Sequence, residues 1–121
     1  MNNYLYDYLP PNASGTYEAY KLCETRNKNP LKYHLTTQAD STFKFSMEHD
    51  YAHVVFHPKF DCYIVDHIEV AEGMRGNGIA TTMLKYLPSF TDHPIYVFVR
   101  PAYKALLERA GAEHLSTLKI K

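Results

Sequence analysis

At 121 residues the chain has room for one hydrophobic core and therefore for a single domain, 1–121, since domains cluster near ~100–150 residues. Apolar residues make up 45% and charged residues 21%, ordinary globular usage that argues against generic disorder. Thirteen basic residues balance thirteen acidic ones, so the composition lacks the broad positive surface that nonspecific nucleic-acid binding requires, and no nucleic-acid partner is expected.

The N-terminal stretch alternates Tyr4, Tyr6 and Tyr8 with Leu5 and Leu9 before Pro10 and Pro11, and predicts a short strand or arm that covers a sheet edge. It carries no basic leader and no long apolar run, which with the absence of a ~20-residue apolar span predicts a cytoplasmic protein with no membrane partner. Cys23 and Cys62 have no CxxC neighbour and are expected to be reduced, Cys62 as a small buried hydrophobe. Tyr17 to Asn27 places Tyr17, Tyr20 and Leu22 near helical spacing before Asn29 and Pro30, and predicts a helix. From Leu31 to Val70 the apolar period becomes two, with turns at Gln38 to Ser41 and Pro58 to Asp61, so three or four antiparallel strands in a meander are expected.

Beyond Gly73 the pattern changes again. Gly73 to Gly78 is glycine-rich, and Ile79, Met83, Leu84 and Leu87 share one helical face that Pro88 closes. Ile95 to Val99 predicts a strand, Ala102 to Ala110 a helix with Gly111 as its C′ residue, and His114 to Ile120 a last strand. The second half thus reads strand, glycine turn, helix, strand, helix, strand, within an α/β (α+β) domain whose sheet is mixed and mostly antiparallel.

One segment carries chemistry. Asp66 to Ala80 puts a strand end, a glycine turn and a helix start in succession. Unpaired N–H groups at a helix start, with the positive end of its dipole, hold phosphate, and glycine lets that backbone approach without a Cβ in the way. No GKS or GKT follows and GxGxxG is absent, so ATP and NAD are not the expected guests.

Arg75-Gly76-Asn77-Gly78-Ile79-Ala80 matches the Q/R-x-x-G-x-G/A pattern of the GNAT superfamily of acyl-CoA-dependent N-acetyltransferases, which the chain resembles over about Cys62 to Ala112. Val70 stands where that family has valine at the end of its fourth strand, and Leu106 to Ala112 resembles a second family segment in spacing. The resemblance implies a sheet split between the fourth and fifth strands, with acetyl-CoA as cosubstrate. The backbone amides of Arg75, Gly76, Asn77, Gly78, Ile79 and Ala80 would bind the coenzyme's diphosphate, while the backbone of Ile68 and Val70 would align its pantetheine arm. A neutral amine would then attack the thioester directly, the acceptor being a protein lysine, a protein N-terminus or a small amine.

Two proton transfers need owners. Asp66 is the first candidate base, because it sits where many family members carry a glutamate, and Glu69 is the second. Strand alternation puts Asp66 on one face and His67 with Glu69 on the other, unless a bulge shifts the register. The family's usual acid is a tyrosine at the register held here by Leu107; Tyr103, one helical turn earlier, is the substitute candidate. Arg100 stands where the family often has asparagine. A thiol with an ordinary pKa of ~8.5 also departs as thiolate, so a missing acid does not abolish transfer. A rival expectation is therefore a noncatalytic protein that keeps the fold and even coenzyme A without turnover. Homodimers are common among proteins of this resemblance. No metal site is expected: His49, His53 and His57 recur every four residues, which would align ligands on a helix, but their surroundings predict a strand.

Overall fold

A computed structural model describes residues 3–23, 33–47, 49, 51–76 and 78–120. The period-two segment forms the expected antiparallel meander: β2 (Tyr33–Thr37), β3 (Phe43–Met47), β4 (Ala52–Lys59) and β5 (Cys62–Val70). Leu31, expected to open the first of these strands, lies outside the described residues. The β2–β3 turn closes on Asp40, whose carboxylate accepts hydrogen bonds from the Thr42 N–H (3.1 Å) and hydroxyl (2.6 Å), the local bonding that makes Asp a turn residue. The remaining elements are helix α1 (Ile79–Tyr86), strand β6 (Ile95–Val99), helix α2 (Lys104–Arg109) and strand β7 (Glu113–Ile120). Gly111 follows α2 at φ +76°, where its N–H reaches the Glu108 carbonyl, as a C′ glycine should.

The segment expected to be a helix is instead strand β1 (Gly15–Lys21), with residues 24–27 of that expectation outside the described set. The physical reason lies in its neighbours. The sheet order is β2-β3-β4-β5-β6-β1-β7, so β1 sits between β6 and β7, antiparallel to both, and is covered on both faces. Glu18, Ala19 and Tyr20 are consecutive buried residues, and a strand buried on both sides loses the alternation that identifies it. Tertiary pairing overrides the local spacing.

Both helices lie on one face of the sheet. Met83 and Leu84 of the first with its C-cap Leu87, and Leu107 of the second with its C-cap Ala110, pack on Tyr20, Phe45, Val54, Phe56 and Val97. Full burial of each such Leu, Met or Phe contributes ~1.5–3 kcal/mol. Among the described residues the opposite face is covered only at the β6-β1-β7 end. There, of the expected strand or arm, the structure has an arm: residues Asn3–Tyr8 form a 3-10 turn that places Leu5, and Leu9 just after it, against Ala19 and Leu118. Tyr8 stacks on Tyr96 (ring centroids 5.5 Å), and burial pushes its phenol up to about 12, while Tyr4 and Tyr6 stay exposed. Tyr8 thus covers a sheet face, while the Tyr6 hydroxyl accepts from the backbone N–H of Lys119 (3.4 Å) on the edge strand β7. Cys62 is buried and Cys23 exposed, both as free thiols. Among the described residues no helix is long and apolar enough to cross a membrane.

Candidate functional site

β5 and β6 run parallel and pair only at Tyr63 with Ile95 and Ile64 with Tyr96. Beyond Ile64 the strands separate, and a cleft of about 940 Å³ opens between them. Its walls are Val65 to Val70 of β5, Val97 to Val99 of β6, the turn at Met74 to Gly76, the start of α1, and Ala102, Tyr103 and Leu106 beside α2. The described residues of the candidate catalytic and coenzyme-binding sets all line it, namely Asp66, Ile68, Glu69, Val70, Arg75, Gly76, Gly78, Ile79, Ala80 and Tyr103; Asn77 lies outside the described residues.

The turn at its end is open above its glycines. Gly76 (φ +84°) and Gly78 (φ +72°) both occupy the left-handed region, and a Cβ built on either meets nothing within 4 Å. Gly78 is the N-cap of α1 and has no side chain with which to cap it, so the first-turn N–H groups of Ile79 and Ala80 reach the cleft without a side-chain acceptor from that position. Arg75 braces the turn by donating from Nε to the Val70 carbonyl at 3.0 Å, tying the helix entry to the end of β5.

β5 is bulged where the candidate base sits. Val55 pairs with His67 and Phe56 with Val65, leaving Asp66 as the extra residue. The separation of Asp66 from Glu69 that simple alternation predicts is thereby removed. His53 and His57, four apart on unbulged β4, share a face; His57 Nδ1 meets Asp66 Oδ1 at 2.8 Å and His53 Nε2 meets Glu69 Oε2 at 3.3 Å. Both carboxylates are therefore on that same face, away from the helices that cover Val54 and Phe56. Asp66 is the more enclosed, with its side chain 35% exposed against 64% for Glu69. His67 completes the group, its ring centroid 5.6 Å from that of His53. The four-residue spacing of His49, His53 and His57, of which only His53 and His57 lie on β4 and His49 precedes it at φ 67°, did not reveal this cluster, because its members meet across strands and depend on a register set by the bulge.

Tyr103 is 56% exposed at the head of α2 and opens on the cleft, so it is not packed into the core. Leu107, at the register of the family's acid, is completely buried among core residues. Arg100 is turned away: its Nη1 donates to the Ser14 carbonyl at 2.6 Å and its guanidinium lies 4.1 Å from the centroid of the Tyr17 ring, fastening β6 to the start of β1.

No family model and no curated protein matches this chain. Among solved structures it is similar to a conserved protein of unknown function from Staphylococcus epidermidis ATCC 12228, with 13% identity and a TM-score of 0.64 over 85% of this chain. The match spans 59% of that protein's length. At that identity the likeness is one of fold alone: a mixed sheet, mostly antiparallel, with helices against one face.

Proposed function

We propose that the chain is a GNAT-type N-acetyltransferase that carries the acetyl group of acetyl-CoA to a primary amine. The observation that supports this most strongly is the cleft itself, since the glycine turn, the β5 edge, Asp66 and Tyr103, all chosen from sequence, face one space of about 940 Å³. The strand split that the resemblance implies corresponds to the divergence of β5 from β6, the N-terminal strand having moved the count by one.

The residues present suit the coenzyme. The open space above Gly76 and Gly78 is where a diphosphate would meet the N–H groups of the α1 start, and the β5 edge from Val65 to Val70 offers backbone donors and acceptors to an extended amide arm. Bound there, acetyl-CoA supplies a thioester carbonyl open to a neutral amine. Asp66 accepts the amine proton, held in place by His57 through one carboxylate oxygen. Tyr103 presents its hydroxyl from the opposite wall as proton donor. The acceptor amine, from a protein or a small molecule, reaches the carboxylates from the helix-free face, in a cytoplasmic setting.

A second reading has its own support. Burial of Leu107 removes the usual acid, which favours a protein that holds coenzyme A without turnover. Calorimetric titration of the full chain with coenzyme A, followed by thiol release from acetyl-CoA in the presence of amines, separates the two. Binding with release supports the transferase; binding with no release from any acceptor supports the second reading. No heat with coenzyme A overturns both.

A further inference from the structure

We propose that His53, His67 and Glu69 form a binding site for a divalent transition metal, Zn²⁺ by their ligand chemistry. The inference is independent of coenzyme binding. The β4–β5 register places His53 directly opposite Glu69, and His67, two residues before Glu69, projects from the same face. One ligand atom from each of the three lies within 4.8 Å of the others. His53 Nε2 and Glu69 Oε2 are 3.3 Å apart. Two ligands at Zn–N and Zn–O bond lengths of ~2.0–2.1 Å in tetrahedral geometry are separated by about 3.3–3.4 Å, the spacing already present. The His53 and His67 rings stand at 80° to each other, so two imidazoles approach one point from different directions rather than stacking.

The donor set selects the metal class. Two imidazoles with one carboxylate suit Zn²⁺ and its neighbours, whereas Ca²⁺ and Mg²⁺ require oxygen-rich sites. Three protein ligands leave a fourth position for water or an incoming ligand, the arrangement of open zinc sites. Here that position is beside the cleft, which His67 and Glu69 line. The adjoining His57–Asp66 pair stands on the same face but outside the triad.

The test uses the full chain, stripped with chelator and titrated with Zn²⁺ by calorimetry and with Co²⁺ by visible absorption. One equivalent is expected to bind, with the intense d–d bands of a four-coordinate cobalt site. Loss of an outer partner in metal sites costs ~10–100-fold in affinity, so His53→Ala, His67→Ala and Glu69→Gln should each cost at least tenfold. His34→Ala, on exposed β2 two strands away, should leave affinity unchanged. Thermal unfolding of each metal-free variant checks its fold, and Glu69→Gln, the most conservative change and at an exposed ligand, carries the test if a histidine variant unfolds. Absence of a one-to-one complex, or binding that persists at parental affinity in the triad variants, shows that His53 and Glu69 are only an ion pair and overturns the proposal.

Discussion

Replacing Gly78 by valine tests the anion cradle while sparing the fold. Gly78 sits at φ 72°, ψ 16°, where a non-glycine residue pays ~1–2 kcal/mol and a β-branched one falls at the upper end. A Cβ there meets no atom within 4 Å, so the Cβ itself adds no clash to that strain. Against a domain stability of ~5–15 kcal/mol the variant stays folded, and its melting temperature falls by roughly 4–16 °C at ~2–8 °C per kcal/mol. The valine side chain, however, enters the space where the diphosphate would lie. Each charge-assisted hydrogen bond lost there is worth ~1.5–3 kcal/mol, so one lost contact weakens coenzyme A by about 10–150-fold. Calorimetry with coenzyme A, run beside thermal unfolding on the same preparations, reads both effects. Gly78→Ala should lower the melting point with a smaller loss of affinity. A Gly78→Val protein that melts lower yet binds coenzyme A as tightly as the parent would refute the cradle.

Asp66→Asn is expected to slow acetyl transfer at least ~100-fold while changing coenzyme affinity less than twofold, measured by thiol release and calorimetry; unchanged turnover removes Asp66 from the proton path. Tyr103→Phe should lower turnover with binding and melting temperature intact, because the ring is exposed and supports no core contact. Leu107→Ala should cost ~2–5 kcal/mol in denaturant unfolding, as expected of a completely buried leucine, and a cost below 1 kcal/mol would contradict its place in the core. Glu18 is buried, and the Thr117 hydroxyl first, then His114, hold its carboxyl below its ordinary 4.5 despite burial. A depressed carboxylate contributes stability above pH 4.5 and loses it as pH falls through the lower folded value, so Glu18→Gln should be less stable than the parent near neutrality by ~1–3 kcal/mol, with the gap narrowing below pH 4.5. A gap independent of pH would deny the charged form its role.

Much of this architecture was legible before any coordinates, and the parts that were not share a cause. Phe43 to Val70 and Ile79 to Leu87 declare themselves because one face of each element is apolar and the other is wet, so local period equals global role. Residues 15–21 do not, since Ala19 faces the 3-10 turn while Glu18 and Tyr20 face the helix side, and burial on both sides erases the period. In the cleft, the Arg75 to Ala80 turn is legible because its glycines and the helix start that follows are contiguous in sequence. The cross-strand group could not be found that way. Asp66, Glu69, His53 and His67 are joined by a one-residue bulge, and a single residue of slip moves a side chain to the other face.

The middle position of β1 in the sheet has a kinetic consequence. Thr16 must pair with Lys119 and Glu18 with Val99, so β1, made before β2 to β7, completes its ladder only when β6 and β7 have emerged. Loop closure over such a span grows only logarithmically in cost, but long-range pairing slows folding and leaves the flanking backbone edges bare in the interval. Nascent chains of this protein should therefore pass through a sticky, aggregation-prone stage that docking of the N-terminal strand ends.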